Sequence, residues 1–179
     1  SGGVAANIIM SLQIYERTKF KNIYVLPPMG DEGLAIGSAI LTALDLKKDV
    51  SWLRDFKMPY FGDSYSRNEV KLVLKGFDNI SFEDLETNWP EEAAKSVAKG
   101  KICALFHGRM EFGPRALGNR SIVADPGQDN IRQRINSTVK RRPYYQPFCP
   151  SILEEERERL FKGSFHHKHM AIAFRMKEK

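Results

Sequence analysis

A chain of 179 residues with 42% hydrophobic content carries enough apolar material for a packed core, which excludes a disordered tail. Its net charge of +6 and isoelectric point of about 9.3 favour anionic partners such as nucleotides, phosphorylated metabolites or nucleic acid. No apolar run is long enough to cross a bilayer and no basic segment leads into a hydrophobic one at the N-terminus, so no membrane partner is expected and the expected location is cytoplasmic.

Ser1-Gly2-Gly3 runs into Val4, Ile8, Leu12 and Tyr15, a spacing that predicts a helix launched directly from a glycine turn. The positive end of such a helix holds a phosphate in some proteins, and in others the turn serves packing alone. Ile23-Tyr24-Val25-Leu26 predicts a buried strand stopped by Pro27-Pro28. The loop Pro28–Gly33 follows, and Ala35, Ile36, Ala39, Ile40, Ala43 and Leu44 then repeat at helical spacing. Asp31 and Glu32 fall at the C-terminal end of the expected strand, where open α/β sheets place ligands; acids complementing a helix dipole are the alternative.

Lys47–Tyr65, with Pro59 and the Phe61–Ser64 turn, reads as a connection. Ser66 and Glu69 form a capping-box pattern that starts a helix through Leu74, while Asn88 and Pro90 start another that stops at Gly100. Lys101–Phe106 is an apolar strand, and it includes Cys103. Cys103 and Cys149 both lie among apolar or aromatic residues, which predicts two reduced, buried thiols rather than a disulfide.

The strand delivers the chain into Gly108–Ser121, which holds Arg109, Arg115 and Arg120 among Gly108, Gly113, Gly118 and Pro114. Glycine allows close backbone approach to a ligand, and arginine offers a planar fork that matches phosphate or carboxylate oxygens in pairs. A regular helix would not put arginines at this spacing on one face, so a folded loop must bring them together for an anion site. A solvated basic loop is the alternative.

Ser121–Ala124 predicts a strand, Asp125-Pro126-Gly127 a turn, and residues 129–139 a polar helix with Ile131, Ile135 and Val139 on one face. Lys140–Pro150 mixes three consecutive cations with aromatic rings and prolines, a composition suited either to holding a nucleotide or to a packed aromatic loop with a basic surface. Ser151–Leu160 reads as a strand passing into a charged helix, and Met170–Phe174 as a strand. His166, His167 and His169 lack a neighbouring acid or cysteine, and the first two do not readily share a face, so packing is preferred to metal binding.

Gly108–Ser121, continued by Ile122-Val123-Ala124-Asp125-Pro126, closely resembles the C-terminal signature of the carbamoyltransferases of nodulation-factor and antibiotic biosynthesis. Lys140, Arg142, Pro147, Phe148 and Pro150 resemble that family's downstream basic segment; Ser1–Asn7 and Pro28–Gly37 look like the closing motifs of its preceding domain. The resemblance implies an α/β (α+β) architecture. Residues 1–58 would be the C-terminal piece of an actin-like ATPase fold, and 59–179 most of a YrdC-like α/β domain with a twisted mixed sheet.

By resemblance the family joins carbamoyl phosphate and ATP into carbamoyl adenylate and passes the carbamoyl group to a hydroxyl acceptor such as a sugar or an antibiotic. Arg109, Arg115, Arg120, Lys140 and Arg142 are then the expected anion ligands, with Asn119, Ser121, Gly113, Gly2 and Gly3 as further substrate or ATP contacts. Asp31 matches a late aspartate ligand of a divalent, iron-type metal whose other ligands would come from the missing N-terminal part of the same protein, so this chain alone is expected to hold none. Pro143 and Gln146 depart from the family's usual glutamate and arginine. A non-catalytic RNA-binding or scaffolding module is the alternative reading, although nucleic acid is not the expected partner.

Overall fold

The computed structural model describes residues 1–20, 22–55, 59–163, 165, 167 and 168–178. They form an α/β arrangement of helices and small antiparallel sheets, divided into two compact units. The first unit comprises Ser1–Gly62, Glu111–Leu117 and Ser151–Lys179, and the second comprises Asp63–Met110 and Gly118–Pro150.

In the first unit the opening helix comes in two parts, because Asn7 interrupts it. A 3-10 turn spans Gly3–Ala6, and helix α1 (Ile8–Arg17) starts afresh where the Asn7 side chain accepts a hydrogen bond from the Met10 amide at 3.0 Å. Helix α2 (Glu32–Asp45) opens with Glu32 in its first turn, and that carboxylate accepts from the Gly30 amide at 3.1 Å. Val25, Met29 and Ala171 form the buried core, with Ala5, Ala6 and Ile23 packed against it. The Ala173 amide donates to Ile8 O, and Arg175 forks onto Glu16 at 2.7 and 2.9 Å. Arg175 thereby holds the Glu16 carboxyl below its ordinary range.

In the second unit, helix α3 (Arg67–Lys75) has the full capping box: Ser66 Oγ accepts from the Glu69 amide, and Glu69 accepts from the Ser66 amide at 2.7 Å. Arg67 and Lys71 pair with Asp84. Helix α4 (Trp89–Ala98) carries Pro90, Glu91 and Glu92 in its first turn, where a missing amide hydrogen costs nothing and negative charge suits the dipole. Strand β1 (Cys103–Phe106) pairs antiparallel with β2 (Arg120–Val123), setting Phe106 opposite Arg120. Helix α5 (Ile131–Arg134) then runs into a π-helical turn, Ile135–Lys140.

In the first unit's last segment a 3-10 turn (Glu154–Glu156) leads into the short helix α6 (Arg157–Leu160), and β3 (Phe161–Lys162) pairs antiparallel with β4 (Arg175–Met176).

Several expectations need correction. The sheets among the described residues are two antiparallel pairs, not one twisted mixed sheet. Ile23–Leu26, the start of Ser151–Leu160 and Met170–Phe174 are not strands. Val25, Ala171 and Ile172 are buried nonetheless, so the apolar runs at 23–26 and 170–174 serve as irregular core segments. Cys103 and Cys149 form no disulfide among the described residues, and against the expected burial Cys149 is exposed and Cys103 half-buried.

Candidate functional site

The first unit gathers several of the expected site residues. Gly2, at φ 98°, donates from its amide to Gly30 O at 3.2 Å, which ties the N-terminal glycine turn to the Pro28–Gly33 loop. Gly33 is buried so tightly that a Cβ there would lie 2.3 Å from Pro28 O. Gly113, at φ 123°, sits against the same proline pair, where a Cβ would lie 2.7 Å from Pro27 O. Arg115 reaches Ala6 O at 3.5 Å, and its buried Nε has no hydrogen-bond partner among the described residues. An unpaired buried donor costs about 1–3 kcal/mol, so Arg115 is held in this position at a local cost. Gly3 opens the 3-10 turn that ends at Ala6.

Glu111 holds this segment in shape. It is buried, and it accepts the Leu117 amide at 2.7 Å, closing 111–117 on itself. Tyr60 bridges to Glu111 in antiparallel fashion and donates its hydroxyl to Leu117 O at 2.9 Å, while the Phe112 amide donates to Pro59 O. Burial, and secondarily the Glu111 charge, push the Tyr60 phenol up, so it stays a donor at neutral pH.

Asp31 is exposed at the start of α2 and makes no side-chain cap bond. Among the described residues no group of three or more His, Cys, Asp or Glu is arranged to hold a metal. His167 Nε2 instead accepts the Ala171 amide at 3.3 Å, His169 is buried, and His166 lies outside the described residues. Asp31 by itself does not make a metal centre among the described residues.

In the second unit, Arg120 and Asn119 build the base of the arginine loop. Arg120 Nη1 donates to the carbonyls of His107 (2.8 Å), Gly108 (3.3 Å) and Asn119 (3.0 Å), and its guanidinium lies 3.6 Å from the Phe106 ring centroid. Buried Asn119 donates to Arg109 O at 2.7 Å, and Ser121 Oγ accepts the Gly118 amide at 3.0 Å. Asn119 and Ser121 thus shape the loop from within; Arg109 is exposed at its start.

The second basic segment is organised by a residue that sequence reasoning missed. Asn136, fully buried in the π-helical turn, donates to Tyr144 O (3.0 Å) and Gln146 O (2.9 Å) and accepts from Arg142 Nε (2.7 Å). Arg142 also stacks on Phe148, 4.7 Å from the ring centroid. Lys140 is exposed at the end of the π-helical turn. A cavity of about 290 Å³ is lined by Gln128, Asn130, Ile131, Arg132, Gln133 and Tyr144, close to the size of a small-ligand site. An asparagine inside a helical run was the available signal, since that residue type favours caps and turns unless its amide is put to use.

Two family models match the chain: Carbamoyltransferase N-terminus over residues 1–40 and Carbamoyltransferase C-terminus over residues 94–179. The chain belongs to the carbamoyltransferase family. Gly2, Gly3 and Asp31 fall in the N-terminal match, and every candidate from Arg109 to Arg142 falls in the C-terminal match. An uncharacterised protein of Methanocaldococcus jannaschii is 60% identical over 181 residues, covering 99% of this chain and 30% of that protein. The nodulation protein NolNO of Sinorhizobium fredii is 36% identical over 165 residues (90% of this chain, 24% of that protein). The 3'-hydroxymethylcephem-O-carbamoyltransferase of Streptomyces clavuligerus is 31% identical over 180 residues (99% and 32%). The chain thus spans roughly a quarter to a third of the length of these relatives. No helix among the described residues is long and apolar enough to cross a membrane.

Proposed function

We propose that the protein carrying this chain is an ATP-dependent O-carbamoyltransferase that forms carbamoyl adenylate and transfers the carbamoyl group to a hydroxyl acceptor. The observation that carries the reading is the pair of carbamoyltransferase family matches, the second of which contains the arginine-rich loop with Arg109, Arg115 and Arg120. A cephem O-carbamoyltransferase among the relatives supports a small-molecule hydroxyl as acceptor, whether antibiotic or sugar. On this reading residues 1–58 belong to an actin-like transfer domain, and 59–179 carry most of a YrdC-like adenylation domain. Carbamoyl phosphate gives up its phosphate to water, the resulting carbamate oxygen attacks the α-phosphorus of ATP, and pyrophosphate leaves. The acceptor hydroxyl then attacks the carbamoyl carbon and AMP leaves.

Every anion in that sequence is a phosphate or a carboxylate-like group, for which preorganised guanidinium donors in a partly dry site are the matching partners. Arg109, Arg115, Lys140 and Arg142 are assigned to those oxygens, and Arg120 to fixing the loop that presents Arg109. The test is carbamoyl-phosphate-dependent pyrophosphate release from ATP by the full-length protein. Arg115→Ala is expected to lower that release by two orders of magnitude or more, as loss of a charge-stabilising donor does. Unchanged release in Arg115→Ala would refute the site assignment.

A further inference from the structure

We propose that Asn136 is a positioning residue that sets the Arg142 guanidinium for phosphate, and that this clamp makes the second basic segment competent to bind a nucleoside triphosphate. The ligand class rests on the function proposed above; the clamp itself rests on geometry.

Asn136 is 0% exposed, and its amide is saturated: both Nδ2 hydrogens go to carbonyls, of Tyr144 and Gln146, and Oδ1 receives Arg142 Nε. Its backbone carbonyl also accepts the Arg142 amide at 3.0 Å. One residue therefore fixes Arg142 at both main chain and side chain. Arg141, at φ 46°, makes the reversal that brings the chain back over the π-helical turn, a departure from regular helix of the kind often found at functional sites.

The consequence is directional. Nε and Nη2 form one edge of the guanidinium, and both are turned inward, Nε to Asn136 and Nη2 to Pro147 O at 3.5 Å. One face lies on Phe148. The opposite edge, led by Nη1, makes no hydrogen bond among the described residues and retains the paired-donor geometry that suits two phosphate oxygens. Asn136 also binds the backbone carbonyl of Tyr144, one of the residues lining the 290 Å³ cavity, so one amide ties both a cation and a residue of the cavity wall.

Pro143 and Gln146 lie in the clamped loop, but the clamp grips the main-chain carbonyls of Tyr144 and Gln146 and uses neither departing side chain.

The experiment uses the full-length protein at low salt and measures ATP binding by calorimetry, alongside carbamoyl-phosphate-dependent pyrophosphate release. Asn136→Ala and Arg142→Ala are each expected to weaken ATP binding about tenfold to a hundredfold, and the double variant no further than Arg142→Ala alone. Additive losses in the double variant would show that Asn136 acts through general structure and would overturn the proposal. Arg142→Lys, on the half-buried partner, decides the matter if Asn136→Ala does not fold: the lysine keeps the charge but loses the fixed fork. It is expected to bind within about threefold of Arg142→Ala. Wild-type affinity in Arg142→Lys would overturn the clamp. A wild type that binds ATP but releases no pyrophosphate refutes the proposed reaction and leaves the binding arms to judge the clamp, whereas a wild type that binds no ATP overturns both.

Discussion

Gly113 and Gly118 have nearly the same backbone, φ 123° and 112°, but different surroundings, and this makes a controlled pair of substitutions. A Cβ at Gly118 meets nothing within 4 Å, whereas one at Gly113 would lie 2.7 Å from Pro27 O, 2.9 Å from Pro27 C and 3.1 Å from Pro28 N. Both alanines incur the strain of a positive φ, of order 1–3 kcal/mol. Only Gly113→Ala must also displace backbone, which adds about 1–3 kcal/mol. Hydrogen exchange reads the difference locally, at the Phe112 and Leu117 amides for Gly113→Ala and at the His107 amide for Gly118→Ala, since each is hydrogen-bonded in the native fold. The excess of about 1–3 kcal/mol corresponds to exchange accelerated roughly five- to 150-fold more at Gly113, because ~1.4 kcal/mol is a factor of ten. Equal acceleration at the two sites would refute the packing of 111–117 against Pro27-Pro28. That packing is what holds the Arg115 segment in the first unit, so the same result would remove the structural basis for its role.

Ser66→Ala removes the cap of α3 and is expected to cost about 1 kcal/mol, seen as faster exchange of the Val70 amide; no change would mean the cap is not formed in solution. Asn119→Ala removes the hydrogen bond that this buried amide gives to Arg109 O and is expected to cost about 0.5–1.5 kcal/mol locally, measured by protection of the His107 amide, which bonds Asn119 O. The Asp84 carboxyl is lowered to about 2 by Lys71 and Arg67. Because the folded value lies below the ordinary 3.8, its pairing favours the fold above that pH and is lost as pH falls through about 2. Carboxyl-carbon NMR should show that midpoint, and Lys71→Ala should raise it; an Asp84 midpoint near 3.8 would contradict the ion pair.

The parts of the fold that were legible in the sequence are those written in local chemistry. Ser66 and Glu69 announce α3 because a capping box involves residues three apart, and Asn88 and Pro90 place the start of α4 for the same reason. β1 and β2 read correctly as apolar runs flanking the glycine-rich loop. Asn7 also carried a readable cap signal, but the periodicity running from Val4 to Tyr15 obscured it. Ile23–Leu26 and Met170–Phe174 misled because a run of apolar residues reports burial, and burial here comes from packing among irregular segments rather than from a ladder.

The same division runs through the candidate site. Residue types identified Arg115, Arg142 and the glycines as candidates. They could not separate arginines whose donors are spent on the protein's own carbonyls, such as Arg120, from Arg115, whose Nε is left over. Asn136 escaped notice because its role depends on partners six to ten residues away across a loop, a separation with no sequence period.

The central claim is that these guanidinium donors serve a carbamoyl adenylation, and the most direct measurement is pyrophosphate release from ATP by the full-length protein with and without carbamoyl phosphate. Release that requires carbamoyl phosphate and collapses in Arg115→Ala is the predicted result. Release that is absent, or that proceeds equally without carbamoyl phosphate, would contradict it.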